Sequence, residues 1–132
     1  QARTTEDRRS TGDTEMGKKS IVPYALYRGE GYISAALAQK VTGFNEDDLE
    51  LLWQAIVNMF ENDHSAARGK MSMRQLFVFK HDSILGNAPS GVLFDRISVT
   101  PKNAYLPPRA VADYEISVDA SIPAGVELIE KL

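Results

Sequence analysis

The sequence predicts an α+β fold, an antiparallel sheet with helices on one face. Three observations carry that expectation. Asn45 to Asn62 has the apolar spacing and the capping residues of an amphipathic helix. Asp113 to Asp119 alternates polar and apolar residues without a break. Around these two stretches lie short runs of β-forming residues, giving the order strand, helix, strand, strand, strand.

Bulk properties frame the elements. A chain of 132 residues with 43% hydrophobic and 25% charged residues has the composition of one ordinary globular domain. No apolar run approaches the roughly 18–20 residues that span a bilayer, and residues 1–20 do not have the pattern of a secretory signal. The absence of cysteine excludes a disulfide scaffold and a thiolate zinc site. A soluble intracellular domain is the expectation.

Taken in order, residues 1–20 are polar and mixed in charge, with Ala2 and Met16 the only apolar side chains, and are read as a flexible linker. Ile21 to Arg28 is rich in β-formers and reads as a strand, with Pro23 placing it at an edge or at a strand start. Ser34 to Lys40 reads as a short helix that Thr42-Gly43 ends. In the long helix, Asn45 is a good N-cap, Asp48 completes an approximate capping box, and Glu46, Asp47 and Asp48 suit the positive end of the helix dipole. Leu49, Leu52, Trp53, Ile56, Met59 and Phe60 share one face, and Trp53 is expected as its central core anchor.

Arg74 to His81 reads as a strand with bulk on both faces, Leu76 and Val78 on one and Phe77 and Phe79 on the other. Burial of the phenylalanine face is the plainer expectation, with a platform for stacking bases as the functional one. Val92 to Val99 reads as a further strand, Asp113 to Asp119 as another with a solvated acidic face, and Gly125 to Ile129 as a short last one.

The net charge of −3 does not favour nucleic acid, but its distribution is uneven. Glu46 to Asp63 holds six acidic residues and no Lys or Arg, whereas His64 to Arg109 holds seven basic residues against two acidic ones. A basic stripe in the middle of the chain can bind phosphates, although scattered surface charge is the plainer reading. The connection His64–Lys70 has small side chains apart from its charged groups, which lets backbone approach a partner.

No catalytic constellation, metal-ligand set or cofactor loop is legible, so a non-enzyme without a cofactor is expected. The alternative is a metal-dependent RNA nuclease using the pairs Asp63-His64 and His81-Asp82. Its spacing matches no signature, and adjacent residues on a strand point to opposite faces.

Three blocks carry a family likeness: TEMGKKSIVPYALYRGEGYIS (Thr14–Ser34), DDLELLWQAIVNMFENDHSAARGKM (Asp47–Met71) and FVFKHDSILGNAP (Phe77–Pro89). Together they resemble the carboxyl-terminal half of the CRISPR Cascade backbone subunit in its subtype I-C branch, over most of residues 14–119. The resemblance implies part of a modified RNA-recognition-motif (ferredoxin-like) fold over residues 21–132. It also implies a non-catalytic cytoplasmic subunit that binds guide RNA (crRNA) without sequence preference and polymerises along it. Its partners would be that RNA, further copies of itself, other Cascade subunits and, indirectly, target DNA, with no membrane involved. The family usually has a basic residue where this chain has His64, and often an acidic one where it has Lys70. The chain is about half the family's expected length, so a fragment is expected. Binding without sequence preference calls for Arg and Lys contacts to phosphate. Arg28, Arg68, Lys70 and Arg74 are the first candidates, with Lys18 and Lys19 beside them.

Overall fold

A computed structural model describes residues 17–18, 20–61 and 69–132. The linker expected over residues 1–20 falls almost wholly outside these residues. Among them the chain builds short helices and two antiparallel ribbons. The first helix, α1 (Ala35–Leu37), starts where the Ser34 hydroxyl accepts a hydrogen bond from the Leu37 N–H. It continues into a π-helical turn, Ala38–Thr42. Gly43 ends that turn at φ 66°, a left-handed conformation that costs glycine little.

Helix α2 (Glu46–Val57) starts where the sequence expects but ends at Val57, short of the expected Asn62, and Met59 of the expected apolar face is exposed. The Asn45 side chain accepts from the Asp48 N–H at 3.0 Å, and the Asp48 carboxylate accepts from the Asn45 N–H at 3.0 Å, so two orphan donors are satisfied reciprocally. Leu49, Leu52, Trp53 and Ile56 form a half-buried stripe. Trp53 is therefore part of the apolar face and not the fully buried anchor expected of it. A salt bridge of 3.5 Å from Lys131 to Glu50 places the helix beside the end of the last strand.

Strand β1 (Phe77–His81) pairs antiparallel with β4 (Val126–Glu130), with Phe79 opposite Leu128. Strand β2 (Ile97–Pro101) pairs antiparallel with β3 (Tyr114–Val118), with Val99 opposite Ile116. The antiparallel pairing is as expected, but among the described residues it is divided between two two-stranded ribbons and does not form one continuous sheet. In β3 the expected alternation holds for Tyr114 and Ile116, which are half-buried, and for the exposed Glu115 and Ser117.

Two strand expectations are corrected. Residues 21–33 run without ladder partners among the described residues, so the expected strand Ile21 to Arg28 is not one. Several of its apolar residues, Ile21, Val22 and Tyr27 among them, are exposed. The run Val92 to Val99 divides between helix α3 (Ser90–Phe94) and β2. Pro89 stands at the N-cap with φ −61°, and its carbonyl accepts from the Leu93 N–H, which starts a helical turn. A short continuous apolar run is compatible with either a buried helix turn or a buried strand, and here tertiary burial decides.

That turn supplies the core. Leu93 is 2% exposed and Ile97 9%, the two buried hydrophobic residues among those described. Phe94 links the surrounding elements, with Tyr32 at a ring-centroid distance of 5.6 Å and Phe79 of β1 edge-on at 6.4 Å.

Candidate nucleic-acid interface

The basic residues singled out from sequence occupy different situations. Lys18 is exposed; Lys19 and Arg68 lie outside the described residues. Lys70 and Arg74 are exposed on the connection that leads into β1. Lys70 follows Gly69, whose φ of 64° turns the chain, and borders a cavity of about 320 Å³ lined by Phe60, Glu61, Gly69, Met71 and Ser72 as well.

Arg28 is placed elsewhere. Its Nη1 donates to the Ile97 carbonyl at 2.6 Å, its Nη2 to the Phe94 carbonyl at 2.6 Å, and its Nε lies 3.0 Å from the Glu30 carboxylate. The structure thus draws Arg28 to the corner between α3 and β2, while Lys70 and Arg74 are exposed on the segment that precedes β1.

The aromatic platform considered for Phe77 and Phe79 is not exposed. Both side chains are half-buried, and Phe79 meets Phe94 edge-on. Exposed aromatic surface is found instead on Tyr27, Tyr32 and Tyr105. Tyr105 is 95% exposed on the loop joining β2 to β3, between the exposed Lys102 and Arg109. That loop is braced at both ends. The Asn103 side chain accepts from the Tyr105 N–H at 2.9 Å, and the Asp113 carboxylate accepts from the N–H groups of Arg109 and Ala110. Periodicity does not mark such a loop. The available signal was the interleaving of a tyrosine with two basic residues around Pro107-Pro108.

His81 and Asp82 sit at the end of β1, where a loop folds back over the imidazole. The Asn87 N–H donates to His81 Nδ1 at 2.9 Å, so that nitrogen is the acceptor of the loop's hydrogen bond. The Asn87 side-chain oxygen accepts from the Ser83 N–H, and the Asp82 N–H donates to the Gly125 carbonyl. A cavity of about 270 Å³ lies alongside, lined by Lys80, His81, Asp82, Gly125, Val126 and Glu127. No group of three or more His, Asp or Glu side chains among the described residues is arranged to hold a metal ion. Asp63 and His64, the other half of the nuclease alternative, lie outside the described residues.

At the far end of the β2–β3 ribbon, the Ser121 backbone N–H and then the Arg96 guanidinium hold the Asp119 carboxyl below the usual aspartate range. The Arg96–Asp119 bridge is 3.0 Å, and the Asp119 N–H also donates to the Arg96 carbonyl at 2.7 Å. Asp119 is therefore committed to closing the ribbon, and Glu115 remains on the exposed acidic face.

No helix among the described residues is long and apolar enough to cross a membrane. The mixture of helices and antiparallel strands is consistent with part of a ferredoxin-like fold. No curated protein matches the chain. The family described as CRISPR-associated protein Cas7 matches residues 1–119. The chain belongs to the Cas7 family of CRISPR-associated proteins.

Proposed function

We propose that this chain is a non-catalytic backbone subunit of a Cascade surveillance complex, corresponding to the carboxyl-terminal half of a subtype I-C Cas7. In this reading it binds guide RNA without sequence preference, assembles beside further copies of itself and other Cascade subunits, and meets target DNA only through the guide, in the cytoplasm. The family match over residues 1–119 carries the proposal. Two structural features support it. Lys18, Lys70 and Arg74 have exposed side chains of the kind that contact phosphate without reading bases. Large apolar side chains such as Leu37, Val41, Leu51 and Leu85 are exposed, as expected of a subunit that meets neighbours. Arg68 and Lys19 remain candidates on sequence grounds.

The test is purification with retained nucleic acid, followed by titration with single-stranded guide-length RNA over a range of salt. The expected result is binding to unrelated sequences with equal affinity, and a linear fall of log K with log salt. Each phosphate contact contributes a slope of about −0.7 for a single strand. Lys70→Ala and Arg74→Ala are each expected to reduce that slope by about 0.7. Absence of RNA binding at low salt, or RNA cleavage that depends on added magnesium or manganese, would sink the proposal.

A further inference from the structure

We infer that Arg28 is a positioning residue: it clasps residues 21–33 onto the corner between α3 and β2, and it is not a phosphate ligand. The two carbonyls it reaches are the ones that regular structure leaves without a donor. The Phe94 carbonyl belongs to the last turn of α3, where helix carbonyls have no partner further along. Just before β2 the Arg96 carbonyl accepts from the N–H of Asp119, the residue that follows β3. Alternation along an antiparallel strand therefore turns the next carbonyl, that of Ile97, toward the free edge. One guanidinium satisfies both, at 2.6 Å each.

The geometry suits arginine alone. A planar fork with donors on three nitrogens bridges two acceptors while its third side pairs with Glu30. A phosphate would have to displace Glu30 or strip donors from two backbone carbonyls, one of them on a buried residue. Segment 21–33 depends on this contact because no backbone hydrogen bond joins it to either ribbon among the described residues. Among the described residues it also makes aromatic contacts, Tyr24 to Tyr114 at 6.4 Å and Tyr32 to Phe94 at 5.6 Å. Arg28 sits between these two tyrosines and closes a loop of 66 to 69 residues.

Arg28→Lys and Arg28→Gln distinguish a clasp from a phosphate contact. Lysine keeps the charge and loses the fork; glutamine loses both. In the full chain, both variants are expected to lose the nuclear Overhauser contact between the Tyr32 and Phe94 rings. Chymotrypsin is expected to cut after Tyr27 and Tyr32 several-fold faster in both, the scale of losing one or two net hydrogen bonds. Cutting after Trp53 in α2 should stay at the wild-type rate, which separates local release from global unfolding. The salt slope of RNA binding should be the same in both variants as in the parent. Unchanged Tyr32–Phe94 contacts and cutting in both variants would overturn the clasp. So would a slope reduced by about 0.7 in Arg28→Gln and restored in Arg28→Lys. The slope measurement rests on the RNA-binding reading, whereas the ring contact and the cutting do not. A protein that binds no RNA therefore still decides the clasp.

Discussion

Asp119 shows how single side chains define the ends of these ribbons. Its carboxylate accepts from Ser121 and from Arg96, which lowers its pKa in the folded state. A carboxyl with a depressed folded pKa contributes stability that is present above its unfolded value and lost as pH falls through the folded one. The closed end of the β2–β3 ribbon is therefore expected to be fully stabilised above the unfolded aspartate value and to lose that contribution as pH falls from there through the depressed folded one. Carbon-detected titration of the Asp119 carboxyl should give a midpoint below that of an unpaired aspartate, and Asp119→Asn should abolish that pH dependence at the ribbon end. Gly125 makes a steric statement at the same scale. It sits at φ 80°, and a Cβ there would lie 2.5 Å from the Asn87 side-chain nitrogen. Gly125→Ala should cost about 1–2 kcal/mol from backbone conformation, with some further cost from that clash. A lower urea midpoint and faster amide exchange at Asn87 would show it, because the Asn87 N–H is held by His81 next to the displaced side chain.

At the scale of elements, α2 is specified locally and the apolar run after Pro89 is not. The capping box of α2 needs only residues 45 and 48, and both of its hydrogen bonds form between them. Asn45→Ala should therefore cost about 1 kcal/mol, read as a lower thermal midpoint and as fraying of the first turn in circular dichroism. The run Val92 to Val99 contains the same apolar density as a strand. Its first half winds into α3 because Pro89 pre-sets the turn and Leu93 finds a buried site. Leu93→Ala should cost about 2–5 kcal/mol, the range for a truncated core leucine, and a cost under about 1 kcal/mol would show that this site is not the core. Segment 21–33 is the opposite case. Its β-formers have no partner strand among the described residues, and the side chains of Arg28, Tyr24 and Tyr32 contact the ribbons' corner instead.

For the whole molecule, the distribution of burial matters more than any element. Two hydrophobic residues are buried among those described, and the largest exposed ones include Leu85, Tyr105 and Val22. A two-stranded ribbon is marginal by itself, and the described residues form two. The isolated chain is accordingly expected to unfold with a urea m-value at or below the low end of the roughly 1–3 kcal/mol/M of small proteins. Under the proposed function the value should rise on adding guide RNA, as assembly covers exposed apolar surface. Equilibrium denaturation with and without RNA checks both statements, and an m-value near 3 for the isolated chain would contradict this account of its core.

The sequence by itself determined the features that depend on neighbouring residues. The cap and stripe of α2, the end of the π-helical turn at Gly43, the alternation of β3 and the family blocks were all legible, because each is set within a few residues by backbone geometry and side-chain period. Tertiary structure decided everything that depends on contacts across dozens of residues. It divided the strands into two ribbons, moved the core from Trp53 to Leu93 and Ile97, and exposed Tyr105. It also set the Arg28 guanidinium on two backbone carbonyls. A guanidinium carries the same charge and donors wherever it stands in a sequence, and only the fold determines which acceptors come within 3 Å of it.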